Sequence, residues 1–152
     1  MRSVIAVFVD NKYGVLARVT SLFMRKGFNI DTLTVGETDN PAYSRITITL
    51  NGDEYAREQL MNQLNKLHNV RKVKYLGDGS SVEREIMLVK VKNTAENRAE
   101  IEAAEKIYKT KIVDYTTDAM CIEVTGDPNK ITAFIELMKP LGIIELCRTG
   151  VV

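Results

Sequence analysis

A chain of 152 residues can bury a sizeable core as one domain or as two small ones, and 21 basic against 20 acidic residues leave a formal charge of only +1. Because the charges are interspersed, no basic field calls for nucleic acid or an anionic membrane, and neither is expected as a partner. The apolar run Val4 to Val9 is too short for a secretory core or a membrane span, so a cytoplasmic protein is expected.

That first run reads as a buried strand. It stops at Asn11-Lys12-Tyr13-Gly14-Val15-Leu16-Ala17, where the chain turns on a glycine and a helix begins with Leu16, Val19 and Phe23 on one face. The helix is expected to reach Lys26 and to end on Gly27 as a left-handed cap. Asn29 to Val35 is the second strand. After the turn residues Asp39-Asn40-Pro41, Tyr43 to Leu50 alternates with Ile46, Ile48 and Leu50 on one side, which predicts a hairpin. Asp53 opens a second helix through Ala56, Leu60, Leu64 and Leu67, and Val70 to Leu76 closes the unit as a strand.

Gly77-Asp78-Gly79-Ser80-Ser81 has the composition of a linker, and beyond it the order repeats at an offset of about eighty positions. Ile86 to Val91 is a strand. Residues 95 to 108 form a helix facing inward through Ile101, Ala104 and Tyr108. Lys111 to Thr116 and Met120 to Thr125 make a hairpin. Asp127-Pro128 caps a helix carrying Ile131, Phe134, Ile135 and Met138, and Ile143 to Leu146 ends the unit. The expected class is therefore α+β, two ferredoxin-like βαββαβ domains over residues 1–77 and 78–152, each an antiparallel sheet with its helices on one face. The strands at Val4 to Val9 and Ile86 to Val91 are apolar on both sides, so a partner subunit or the other domain is expected to cover the second face, with a homodimer through the N-terminal units.

The strand-to-helix corner is the candidate site. The first turn of a helix carries backbone N–H groups without internal partners and a partly positive dipole end, which suits a carboxylate. Gly14 lets a ligand approach the backbone, and Asn11 offers a donor and an acceptor, a combination that fits an α-amino acid. Taken alone, Asn11 and Gly14 also fit an ordinary turn.

Other uses of the fold find less support. The third strand has one aromatic, at its edge, where an RNA-recognition sheet needs several, and the corner has no cysteine pair for copper. An acylphosphatase-like site needs an arginine where the corner has only Lys12 beside Asn11. His68 reads as a helix-end residue facing water, Glu83-Arg84-Glu85 as a solvated lead-in to a strand, and Glu96, Glu100, Glu102 and Glu105 as an exposed helix face. No catalytic constellation emerges, and a non-enzyme is expected. Cys121 and Cys147, with no metal-binding spacing, are expected to be buried reduced thiols, and no metal site is expected. Met24, Met61, Met87, Met120 and Met138 read as core or interface filler.

Asp10 to Val19 resembles the first turn of ACT domains, small-molecule-binding regulatory units of amino-acid metabolism. Arg25 to Val35, Thr38-Asp39-Asn40-Pro41 with Ser44-Arg45, Val82 to Lys90, and the ending Arg148-Thr149-Gly150-Val151-Val152 are similar to the small, regulatory subunit of acetohydroxyacid synthase, also called acetolactate synthase. The resemblance covers essentially the whole chain. It departs at Tyr13, where many ACT domains have proline, and in lacking the short basic tail with which the family often continues.

The resemblance implies a chain that binds the large catalytic subunit, raises its activity, and confers feedback inhibition by a branched-chain amino acid, commonly valine. It places thiamine diphosphate, Mg and FAD on the catalytic partner and none on this chain. It also implies that Asn11, Gly14 and Asn29 hold the effector and that Val15, Leu16 and Ile30 line the cleft. Asn29 starts the second strand, after the helix that Gly14 opens, so it reaches the corner most readily from a paired subunit. A free-standing ACT-type amino-acid sensor acting on another enzyme or a transcription factor is the alternative.

Overall fold

Alternation along the first strand puts Ile5, Val7 and Val9 on one face, where they are buried against Ile46, Ile48 and Leu50 of its neighbour. The computed structural model describes residues 1–77 and 79–152, so Asp78, within the expected linker, lies outside the described residues. The first six elements are β1 (Arg2–Asp10), α1 (Val15–Lys26), β2 (Ile30–Glu37), β3 (Tyr43–Asn51), α2 (Glu54–Asn65) and β4 (Val70–Tyr75). They form an antiparallel sheet in the order β2-β3-β1-β4, with β2 and β4 at the edges. Val15, Val19, Leu22 and Phe23 of α1 and Leu60 and Leu64 of α2 complete the core, as a helical period over an alternating sheet face requires.

The pattern recurs with β5 (Glu85–Lys92), α3 (Ala95–Tyr108), β6 (Lys111–Tyr115), β7 (Ala119–Gly126), α4 (Pro128–Met138), a short 3₁₀ turn at Lys139–Leu141, and β8 (Ile143–Arg148). Its sheet order is β6-β7-β5-β8, the same topology as the first. Met87, Val89 and Val91 of β5 pack with Ile101, Ile131, Phe134 and Met138, and Tyr108 meets Phe134 edge to face at 5.4 Å. The chain divides into compact units over Met1–Val82 and Glu83–Gly150, where the sequence reading drew the boundary at 77/78. Gly77 has a packing role as well as a linker composition. The Tyr75 ring occupies the space a Cβ would need there, and the Arg57 guanidinium stacks 4.0 Å above that same ring.

The helix ends follow their sequence signals. Asp53 accepts from the Ala56 N–H at 2.8 Å and Asp127 from that of Lys130 at 2.9 Å, with Pro128 in the first turn. Gly27 ends α1 at φ 70°.

Two expectations change, those on the cysteines and on Glu85. Val4 and Ala6, on the face of β1 turned away from the helices, are buried at 6% and 1% exposure, so this part of that face is covered within the chain. On β5 the corresponding Ile86 and Leu88 stay exposed. Cys121 is only half-buried and Cys147 is exposed, because both lie on β-strand positions opposite the core; partial burial nevertheless pushes the Cys121 thiol pKa up. Glu85 is not solvated. Its carboxylate is fully buried and takes two bonds from Arg148, at 3.2 Å from Nε and 2.7 Å from Nη2, and the chain end pairs alongside through Arg84 and Val152. The partner lies too far along the sequence for local reading to find it.

Candidate functional site

The corner between β1 and α1 is held from several sides. The Asn11 N–H donates to the Ala42 carbonyl at 2.8 Å, and the Asn11 side-chain amide donates to the Pro41 carbonyl at 2.9 Å and to Glu37 Oε2 at 3.3 Å. Asn11 is therefore a brace between this corner and the β2–β3 turn. Its NH₂ is committed, and its side-chain oxygen accepts no hydrogen bond from another described residue. Beneath it Asp10, almost fully buried, receives two bonds from Arg71, at 2.7 and 3.0 Å, and one from Asn69 at 3.0 Å. Those bonds hold the Asp10 carboxyl at a pKa of about 2 and raise that of Arg71. Arg18, in the second turn of α1, donates to Asn69 at 2.6 Å, so one network pins the start of the helix to the start of β4.

Gly14 opens α1 at φ 81°, ψ −8°, in the left-handed region. A Cβ at this position would meet nothing within 4 Å, so conformation and not space selects glycine here. The consequence is a helix start without a cap. No side chain accepts from the first turn, and that turn carries no acidic residue. The Arg18 N–H returns to Gly14 at 3.0 Å and the Val15 N–H makes a long 3.4 Å contact with Lys12, which leaves the N–H groups of Leu16 and Ala17 without an acceptor among the described residues. Two adjacent free donors at the positive end of a helix suit an anion.

The side chains implied as lining divide. Leu16 is exposed and Ile30 half-buried, whereas Val15 points into the core at 4% exposure. Tyr13, beside Gly14, is fully exposed, a feature for which the sequence offered no signal beyond the missing proline. Asn29 is exposed and lies just before β2, its carbonyl accepting from the Asn51 N–H at 2.9 Å. It is far from the corner in its own chain. Ile30 stands opposite Leu50 and through it level with Ser3, whereas the corner follows Asp10; at about 3.3 Å per residue the separation along the strands is on the order of 23 Å. A single chain brings Asn11 and Gly14 together and leaves Asn29 and Ile30 at the opposite end of the sheet.

The equivalent corner of the second unit is built alike and closed. The Asn93 N–H donates to the Asp118 carbonyl and its amide to that of Thr116, as Asn11 does across the first hairpin. Thr94, however, is in extended backbone, and its hydroxyl accepts from the Asn97 N–H at 3.1 Å, so the first turn of α3 carries its own cap. Elsewhere His68 is exposed, and among the described residues no cluster of three or more His, Cys, Asp or Glu could hold a metal. No helix among them is long and apolar enough to cross a membrane.

Residues 5–72 match the family model of the AHAS small subunit-like ACT domain, and residues 84–152 match that of the small subunit of acetolactate synthase. The chain is similar to the probable acetolactate synthase small subunit of Archaeoglobus fulgidus, 51% identical over 99% of this chain and 94% of that one. It is similar to the acetolactate synthase isozyme 3 small subunit of Escherichia coli, 40% identical over 100% and 94%. Among solved structures, the acetolactate synthase small subunit from Thermotoga maritima superposes with a TM-score of 0.90 at 38% identity, over 100% of this chain and 95% of that one.

Proposed function

Because the chain belongs to the family of acetolactate synthase small subunits, we propose that it binds the large catalytic subunit of that enzyme, raises its activity, and makes it sensitive to a branched-chain amino acid, with valine the leading candidate. The observation that carries the proposal is the uncapped first turn of α1, opened by Gly14 in the left-handed region. In this proposal the Leu16 and Ala17 N–H groups take the effector carboxylate, the free side-chain oxygen of Asn11 accepts from its ammonium, and Leu16 faces its apolar side chain.

Asn29 and Ile30 belong to the site only if a second copy supplies them. The open outer edge of β2, with Val35 exposed at 43%, gives the ACT units a place to pair as a homodimer. Such a crevice regulates if the effector binds one dimer arrangement better than another, and a coupling of about 1 to 3 kcal/mol suffices. Thiamine diphosphate, Mg and FAD belong in this proposal to the large subunit.

The test is to add the purified chain to its large subunit and titrate valine, leucine and isoleucine, following both activity and the heat of binding. Activation together with inhibition by one of the three is expected. Binding heat with no effect on the large subunit would instead point to a sensor of another target, and no heat and no activation would end the proposal.

A further inference from the structure

On the sheet face opposite the helices, Phe8 of β1 stands directly between Arg45 of β3 and Lys72 of β4. The Arg45 guanidinium lies 5.6 Å and the Lys72 ammonium 6.0 Å from the ring centroid. Both are weak cation–π distances, and neither cation has a carboxylate partner among the described residues; Arg45 makes one further contact, 3.3 Å to the Thr47 hydroxyl. Arg71, by contrast, is matched by Asp10. The two unmatched cations flank one ring, and that ring and Lys72 also line a cavity of about 390 Å³ whose wall includes Tyr43, Arg71 and Asp39.

From this arrangement we propose that the upper outer face of the first sheet is the docking surface for an acidic segment of the large subunit, whose apolar side chain enters the cavity while two carboxylates meet Arg45 and Lys72. The proposal rests on the partner named above and adds the surface that partner occupies. Spacing favours a macromolecular segment over a small ligand. Arg45 and Lys72 come from strands two apart in the sheet, with backbones about 10 Å from each other, and reach the Phe8 ring from its two neighbouring strands, an arrangement that a segment carrying more than one carboxylate can engage. Successive carboxylates of an extended or helical segment span that distance. An aromatic floor with arginine beside it is also the composition of an interface anchor, and the surface is distinct from the α1 corner. The two are connected. The Asn11 amide that completes the corner also holds Pro41 and Glu37, and so supports the turn that walls the cavity.

The test measures binding of the purified large subunit by the full chain, the Arg45→Glu/Lys72→Glu double variant, and Lys72→Glu alone, each first checked for an unchanged thermal midpoint. The single variant guards against a folding defect at the half-buried Arg45. A control variant, Lys109→Glu/Lys111→Glu, reverses two lysines on the second unit, on a surface they share with Lys106, Glu102 and Glu105. The double variant is expected to bind at least tenfold more weakly, the single variant several-fold, and the control as the parent does. Raising salt should weaken the parent more than the double variant. Equal affinities of parent and double variant would overturn the docking surface and leave the regulatory role standing, whereas a parent chain that does not bind the large subunit would overturn both. A charge reversal that abolished only binding to a DNA or RNA oligonucleotide would also refute it.

Discussion

Gly14 gives the sharpest perturbation, because its conformation separates stability from ligand recognition. At φ 81° any L-residue is strained, and with open space around the missing Cβ no steric clash adds to that strain. Gly14→Ala should therefore cost about 1 to 2 kcal/mol, a drop of roughly 4 to 16 °C in the thermal midpoint for a unit of this size. Gly14→Asp should cost less, within about 1 kcal/mol, since aspartate tolerates the left-handed region better and a carboxylate at a helix start contributes about 0.3 to 1 kcal/mol. Function should rank them the other way. In Gly14→Asp a fixed carboxylate sits where the effector anion would bind, so inhibition of the large subunit by valine should vanish while activation persists. In Gly14→Ala weakened inhibition should remain. The assays are thermal unfolding followed by circular dichroism and valine titration of the reconstituted enzyme. Full valine inhibition in a folded Gly14→Asp variant would refute the placement of the anion at this helix end.

Arg148→Met should strand the buried Glu85 carboxylate and destabilise the second unit by about 3 to 5 kcal/mol, read as a lower urea midpoint; a change under about 1 kcal/mol would mean that Glu85 is not sealed from water. Asp10, held at about 2 against an ordinary 3.8, contributes stability that is complete above about pH 4 and fades as pH falls toward 2. Chemical denaturation across that range should show Asp10→Asn and the parent converging at the acid end, and a constant difference between them would contradict the bonded carboxylate. Thr94→Gly should remove the cap of α3 at a cost of a few tenths of a kcal/mol, without creating a second valine site in calorimetry; a new binding event would show that an uncapped corner is sufficient by itself.

The alternation of Ile46, Ile48 and Leu50, the Leu60 and Leu64 spacing, and the Asp127-Pro128 start were legible because each is local, decided by side-chain period or capping over a few residues. Gly14 was legible for the same reason, since a glycine between a strand and an amphipathic run marks a turn with a special conformation. What the sequence withheld is long-range. Glu85 with Arg148 and Asp10 with Arg71 pair across strands whose register cannot be read from either partner. The half-exposed position of Cys121 depends on which face of β7 meets the helices. Val15 was assigned to the cleft by resemblance and Leu16 to the inward face with Val19 and Phe23, whereas in the fold Val15 takes the core place and Leu16 is exposed, a one-position shift of the helical stripe. Asn11 appeared as a free amide, and only the folded hairpin shows that half of it is spent on Pro41 and Glu37.

A crystal of the chain grown with saturating valine is the most direct measurement. It should show two copies joined along β2, with the valine carboxylate within hydrogen-bond distance of the Leu16 and Ala17 N–H groups of one copy and Asn29 of the other beside it. Valine bound elsewhere, or a crevice that stays empty and closes over with side chains, would contradict the anion site at the start of α1.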